Sequence, residues 1–282
     1  MAPSTLEEAS AFLLEANGTG RVLAGGTDLL VQLRAGVTTP GIIVDVKHIE
    51  ELMTIQDEDG GFRVGAAVCG QELGEHPGVT TAWPGVVEAV ELIGSTQVQG
   101  RATAGGNLCN ASPAADSVPA MIAAGAMISV YGPDGHRELA VENFATAPGK
   151  TNLKEGELIT SIKLPKPAER SGDAYLRMTP RTEMDIAIVG LGVALTLDSE
   201  GTVTAARVGL GAVAPTAMLV KEAGDALVGS KLDDEALERA AEACRKACNP
   251  INDKRGTIEY RTKIAGVLLK RVAKIAAERA GS

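Results

Sequence analysis

Two pairs of adjacent glycines, each set among small polar residues ahead of a helical pattern, constrain this chain more than any other feature. The longer stretch reads Thr103-Ala104-Gly105-Gly106-Asn107-Leu108-Cys109-Asn110-Ala111-Ser112-Pro113-Ala114-Ala115-Asp116, with almost no side-chain bulk. The shorter reads Leu23-Ala24-Gly25-Gly26-Thr27-Asp28-Leu29, after one short apolar run and before another helix-like segment. Small side chains leave backbone N–H groups accessible, and successive exposed N–H groups form a concavity that binds anions. A helix N-terminus beside them adds partial positive charge, so phosphate is offset without cationic side chains. One Gly-Gly pair in a chain with 33 glycines is as readily a tight turn. Two in the same context point to one shared phosphate-bearing ligand. Neither pair makes the spaced GxGxxG of a dinucleotide-binding βαβ unit, and no GxxxxGK[ST] loop occurs. Asp116 offers an acceptor for a ribose hydroxyl or an amino group, or else a plain N-cap.

Taken in order, the chain opens with a capping box of Ser4 and Glu7 ahead of apolar residues at helical spacing. Residues 21–24 read as a strand, Thr27 or Asp28 as the cap of a helix ended by Gly36, and 42–46 as a buried strand. A hairpin is expected around 57–61, a helix from Pro84, a helix from about Asp116, a second hairpin around 132–135 and a strand over 157–164. Residues 166–173 are polar and broken and read as a linker. Beyond it come a strand pair over 186–197 and 203–210 and helices over 218–228, 234–247 and 257–279.

Composition narrows the function. Aromatic residues make up 2% of the chain and the net charge is −9, which argues against base-stacking or phosphate-backbone partners. No nucleic acid is expected. No apolar run reaches the roughly 20 residues needed to span a bilayer, and residues 1–8 carry no secretory pattern. Cys69, Cys109, Cys244 and Cys248 form no paired framework, which fits a reducing, cytoplasmic setting. Cys244 and Cys248 read as small buried hydrophobes rather than metal ligands, and Cys109 as a residue that fits a small space. His48, His76 and His136 read as surface residues, and the basic C-terminal helix as a solvated face or, alternatively, a contact with a partner subunit. With no acid–base dyad of its own, the chain is expected to rely on a bound cofactor.

The two glycine stretches resemble the FAD-binding loops of the flavoprotein (medium) subunits of molybdenum hydroxylases, the xanthine dehydrogenase and aerobic carbon monoxide dehydrogenase family. The resemblance continues through Ala111-Ser112-Pro113-Ala114-Ala115-Asp116, Tyr175-Leu176-Arg177 with Arg181 and Asp185-Ile186-Ala187, and Arg255-Gly256 with Glu259-Tyr260-Arg261. It implies an α+β fold. A vanillyl-alcohol-oxidase (PCMH)-type FAD-binding domain of two α/β subdomains (1–55 and 56–168) is followed by a C-terminal three-stranded sheet and helix domain (169–282). It also implies that Val22, Leu23, Ala24, Gly25, Gly26, Thr27, Asp28 and Leu29, with Thr103, Gly105, Gly106 and Asn107, hold the FAD pyrophosphate. Asn110, Ser112 and Asp116 would contact the ribityl, ribose or adenine side, and Ile159 would pack on the flavin. Arg177 would be a further cofactor contact, standing where relatives often carry Lys; its planar fork differs from an ammonium point charge.

The resemblance further implies separate partners: a large molybdopterin subunit and a small [2Fe-2S] subunit, arranged as a dimer of heterotrimers. Electrons would pass from those clusters through FAD to quinone, dioxygen or NAD, in the cytoplasm or at the inner face of the membrane. A self-sufficient flavin oxidase or reductase of the same superfamily is the rival reading. A scaffold that has lost its flavin is a third, against which the intact glycines stand.

Overall fold

The computed structural model describes residues 1–182 and 184–281. Helix α1 (Leu6–Glu15) is capped by Thr5, whose hydroxyl accepts from Glu8 N–H at 3.2 Å. The expected box is thus displaced by one residue: Glu8, not Glu7, reaches back to Ser4 N–H at 2.8 Å. Strand β1 (Gly20–Leu23), helix α2 (Leu29–Arg34) and strand β2 (Ile42–Asp45) follow, with β1 and β2 parallel and Leu23 opposite Asp45. Leu6, Ala9 and Leu13 of α1 bury with Val44, Val46, Ile49 and Leu52.

A five-stranded antiparallel sheet comes next, in the order β3-β4-β9-β5-β6. Its first hairpin is β3 (Ile55–Glu58) and β4 (Gly61–Gly65). Five short helices intervene: α3 (Gly70–Glu75), α4 (Pro77–Ala82), α5 (Pro84–Glu91), α6 (Ala104–Cys109) and α7 (Ser117–Ala123). The hairpin β5 (Met127–Gly132) and β6 (Gly135–Ala140), the small ribbon β7 (Ala145–Ala147) and β8 (Lys150–Thr151), and β9 (Leu158–Leu164) complete the unit. Alternation sorts the sheet's faces. Val64, Ile128, Val130 and Ile162 bury with Val86, Val90 and Met121. Arg63, Ser129, Glu138 and Ser161 face outward and line a polar cavity of about 440 Å³.

The remaining strands are β10 (Ser171–Met178), β11 (Val189–Leu197), β12 (Val203–Gly211) and a two-residue edge β13 (Met218–Leu219), all antiparallel. Helices α8 (Lys221–Leu227), α9 (Asp234–Ala247) and α10 (Ile258–Gly281) finish the chain. Three expectations change here. Strand β10 begins at Ser171, inside the stretch expected to be a linker; the expected strand from 186 begins at Val189; and residues 218–219 form a sheet edge rather than the first turn of α8. Local polarity hid β10 because its charge is engaged by neighbours: Asp173 is 3% exposed.

Both faces of this last sheet are covered. Leu191, Val193 and Leu195 bury with Leu268, Leu269 and Val272 of α10. The other face receives α5 and α7. A Cβ on Gly209 would lie 2.0 Å from Pro119 O, and one on Gly192 would lie 2.8 Å from it. Facing glycines in β11 and β12 therefore leave a bare floor on which α7 rests backbone to backbone. Strand β10 lies along α5, touching it at alternate residues. The Asp173 carboxylate accepts from Gly85 N–H at 3.1 Å and Val86 N–H at 3.2 Å. Tyr175 N–H donates to Glu88 at 3.3 Å, and Arg177 donates to Leu92 O at 3.1 Å. Arg279 of α10 holds Glu88 as well. The expected solvated face of α10 is accordingly broken twice, because Arg261 is also buried, donating to Ile188 O at 3.0 Å and Asp253 at 2.8 Å.

Candidate functional site

The two glycine stretches meet. A Cβ on Gly25 would lie 1.9 Å from Arg101 O and 3.2 Å from Ala102 Cα, so the first loop packs directly on the backbone that enters the second. Gln32 donates to Asn110 Oδ1 at 3.0 Å across the same junction. Gly26 adopts a φ of +80°, in the left-handed region where a side chain is strained. The second pair does not lie in a loop, as its composition implied. Gly105 and Gly106 form the first turn of α6, capped by the Thr103 hydroxyl, which accepts from Gly106 N–H at 2.8 Å. Gly105 is required because a Cβ there would meet Ala66 O at 2.4 Å.

This arrangement leaves donors free. Among the described residues, the N–H groups of Gly25, Gly26, Thr27, Asp28 and Gly105 donate to no acceptor within the chain. N–H groups left without partners in buried backbone are costly, and a row of them is chemically suited to an anion. The start of α6 adds its dipole. Asp28 occupies the N-cap position of α2 but makes no capping bond, and its carboxyl is shifted upward by desolvation. Cys109 is likewise exposed to solvent yet desolvated, its thiol pushed up to about 12 by the surrounding protein. Lys47 was not singled out from the sequence; it donates to Ala24 O at 3.3 Å and pairs with Asp45 at 2.6 Å, fixing the end of β1. The available signal was its place just past the end of β2, which pairs in parallel with β1.

The other site positions separate into supports and seam. Val22 is 38% exposed, whereas Leu23, Ala24, Thr27 and Leu29 are half-buried beside the loop. Asn107 Oδ1 accepts from the Ser117 hydroxyl at 2.8 Å, tying α6 to α7, and Ser112 Oγ accepts from Ala114 N–H at 3.3 Å in a turn. Ile159 packs in the core at 5% exposure. Asp116 is neither a free acceptor nor a side-chain cap: Arg177 donates to its Oδ2 at 2.7 Å and Tyr175 OH to its Oδ1 at 3.0 Å. Burial nevertheless pushes the Asp116 carboxyl up to about 6, against the pull of Arg177 and Tyr175. Arg177 is therefore spoken for within the chain by Asp116 and Leu92 O. Tyr175, which sequence reasoning passed over as part of a motif, is the residue that completes this buried cluster.

Cys244 is fully buried and Cys248 donates to Cys244 O at 3.2 Å. No group of three or more potential metal ligands occurs among the described residues. His48 and His136 are exposed, while His76 is half-buried and caps α4 by accepting from Val79 N–H at 3.2 Å. No helix among the described residues is long and apolar enough to cross a membrane.

Comparison with known proteins finds relatives over nearly the whole chain. Residues 1–167 match the FAD-binding domain of molybdopterin dehydrogenases, and residues 174–276 match the C-terminal domain of carbon monoxide dehydrogenase flavoproteins. The carbon monoxide dehydrogenase medium chain of Afipia carboxidovorans is 34% identical over 278 residues, covering 99% of this chain and 96% of that one. The xanthine dehydrogenase FAD-binding subunit of Escherichia coli O157:H7 is 31% identical over 271 residues, covering 95% and 92%. A solved carbon monoxide dehydrogenase from Hydrogenophaga pseudoflava superposes with a TM-score of 0.94 at 33% identity, covering 99% of this chain and 96% of that chain. Quinoline 2-oxidoreductase from Pseudomonas putida 86 gives a TM-score of 0.91 at 28% identity, covering 100% and 97%. Residues 1–167 are therefore an FAD-binding domain, and the chain belongs to the FAD-binding flavoprotein subunits of the molybdenum hydroxylases, the family of the carbon monoxide and xanthine dehydrogenases.

Proposed function

We propose that this chain is the electron-relay subunit of a heteromeric molybdenum hydroxylase. It would take electrons from [2Fe-2S] clusters of a small partner and pass them to an external acceptor: quinone, dioxygen or NAD. FAD supplies the redox chemistry; the protein supplies its grip and its surroundings. The free N–H groups of residues 25–28 and of Gly105 would hold the pyrophosphate, with Thr103 and Asn107 fixing the start of α6. Ser112 and Asn110 line the approach from the second stretch. Asp116 and Arg177 would bound the cofactor at the seam with β10, and Ile159 would back the ring from the core. Lys47 holds the end of β1 in place.

The observation that carries this reading is the meeting of two glycine stretches with unpartnered N–H groups, in a chain similar from end to end to medium subunits. Substrate oxidation at molybdopterin would belong to a large partner, and a dimer of such heterotrimers is the assembly we propose. Cytoplasmic residence, with attachment at the inner membrane face, is part of the same proposal, as are the working boundaries 1–55, 56–168 and 169–282.

The test is reconstitution. The purified chain mixed with FAD should carry flavin absorbance through gel filtration, and Gly26→Val with Gly106→Val should abolish it. The bound flavin should be bleached by substrate only when the molybdenum and iron–sulfur partners are added. Reduction of the isolated chain by a small organic substrate would instead favour a self-sufficient flavin enzyme.

A further inference from the structure

Two alanines hold left-handed backbone on either side of one hydrogen bond. Ala111, inside the second glycine stretch, has a φ of +48°, and Ala212, directly after β12, has a φ of +65°. Between them the Ala212 N–H donates to Pro113 O at 2.7 Å. Left-handed backbone is strained for a residue with a Cβ, and it persists where surrounding contacts over-determine it. Ala111 is held inside its own unit, by a bond from its N–H to Leu108 O and one from Gly149 N–H to its carbonyl, both 3.0 Å. Ala212 is held from the far end of the chain. Its carbonyl accepts from Arg261 of α10 at 3.2 Å, and the same guanidinium donates to Ile188 O at 3.0 Å and Asp253 at 2.8 Å. Gly190 lies opposite Gly211, so Ile188 and Ala212 close the same end of the β11–β12 pair. That end meets residues 113–119: a Cβ on Gly211 would lie 3.5 Å from Pro113 O and 2.7 Å from Pro119 Cγ. Arg261 is 4% exposed, and its Nε is buried with no partner among the described residues. Burying a guanidinium with one donor unsatisfied is costly, and what it supplies is a planar fork that spans two carbonyls and a carboxylate.

We propose that Arg261 is a positioning residue for the cofactor. It holds Ala212 in its strained conformation, Ala212 holds Pro113, and the stretch from Asn110 to Asp116 is thereby set where FAD can lie against it. The inference rests on the reading that Asn110, Ser112 and Asp116 face FAD. The path from guanidinium to stretch is two hydrogen bonds long, 3.2 Å and 2.7 Å, and the second joins backbone to backbone. Losing Arg261 lets Ala212 relax toward ordinary dihedrals, which turns its N–H away from Pro113 O. In this way the C-terminal unit, which carries neither glycine pair, contributes to cofactor retention.

The experiment uses the full chain and reads three quantities: the FAD dissociation constant, the visible circular dichroism of bound flavin, and the urea midpoint of the FAD-free chain. Arg261→Met should weaken FAD binding by at least about tenfold, on the scale of one lost hydrogen bond to a charged group, and alter the flavin dichroism. Arg261→Met/Ala212→Gly should recover most of the affinity, because glycine takes the left-handed dihedral without strain. Its urea midpoint should stay low for want of the bonds to Ile188 and Asp253. Ala212→Val leaves the Arg261 side chain in place and disfavours the dihedral, so it should weaken FAD binding to a similar extent whether or not Arg261→Met folds. A lower urea midpoint with wild-type affinity and dichroism in Arg261→Met makes the residue a structural tie and overturns the proposal. Wild-type affinity in Ala212→Val, or no recovery of affinity in the double variant, overturns it too. Asn110→Ala/Ser112→Ala at wild-type affinity refutes instead the placement of FAD on this stretch, and the inference falls with that reading.

Discussion

Arg177→Met probes the seam between the cofactor-binding unit and the C-terminal sheet. Methionine keeps the length of the side chain and removes both donated bonds, to Asp116 at 2.7 Å and to Leu92 O at 3.1 Å. Asp116 then remains 9% exposed with Tyr175 OH as its remaining side-chain donor. Breaking a buried pair from one side costs about 3–5 kcal/mol, because the other charge stays buried without its partner. Protonation is the escape, and it sets the pH dependence. Burial already lifts this carboxyl from 3.8 to about 6 in the intact cluster. At roughly 1.4 kcal/mol per tenfold change in proton affinity, that rise corresponds to about 3 kcal/mol. A group raised in the folded state stabilises the fold below its unfolded value and loses that contribution as pH climbs through the folded value. Without Arg177 the folded value rises further, since the largest opposing influence is gone. The variant's penalty should therefore be smallest near pH 5 and largest near pH 8. Urea unfolding at pH 5, 6.5 and 8, on chain loaded with FAD and stripped of it, reads this directly. Asp116→Asn/Arg177→Met should recover most of the loss, because a neutral amide needs no cation. A penalty below about 1 kcal/mol, or one flat across this range, or no recovery in the double variant, refutes the reasoning.

Three further outcomes follow from single contacts. Gly25→Ala places a methyl 1.9 Å from Arg101 O, so the loops must part and FAD should be lost on gel filtration; stoichiometric flavin would show that the loops do not need their contact. Gly209→Ala places a methyl 2.0 Å from Pro119 O and should lower stability by at least about 1–3 kcal/mol, read as a lower melting temperature. An unchanged melting temperature would sink the bare-floor account of the α7 seat. Cys109 is exposed with its thiol pushed up to about 12, so alkylation by iodoacetamide at pH 8 should run far slower than for glutathione, and slower still with FAD bound. Alkylation at the glutathione rate would place Cys109 on an ordinary surface.

Much of this protein was legible residue by residue. The glycine pairs, the helical spacing of α1, α9 and α10, the hairpins at 57–61 and 132–135, and Pro119 within the first turn of α7 all follow from local geometry and periodicity. Local chemistry misled where a residue's partner lies far along the chain. Residues 171–173 look like the polar end of a linker, yet Asp173 caps α5, 88 residues earlier, and its burial is offset by those N–H groups. Asp116 looks like a cap or a ligand acceptor, but its geometry is set by Arg177, 61 residues on, and by Tyr175. Arg261 and Arg279 look like solvated cations until a backbone carbonyl and Glu88 claim them.

What the order of amino acids determined by itself is the chemistry of the loops. Paired glycines among small polar residues mark positions where backbone can turn and approach closely, and that much is written in the sequence without a fold. What only the tertiary structure decided is where those loops point and what closes around them. Gly25 lies on the Arg101 backbone, α7 rests on the glycine floor of β11 and β12, and β10 runs along α5. Each of these is a contact between segments dozens of residues apart. No local periodicity encodes them; the burial of shared apolar faces does.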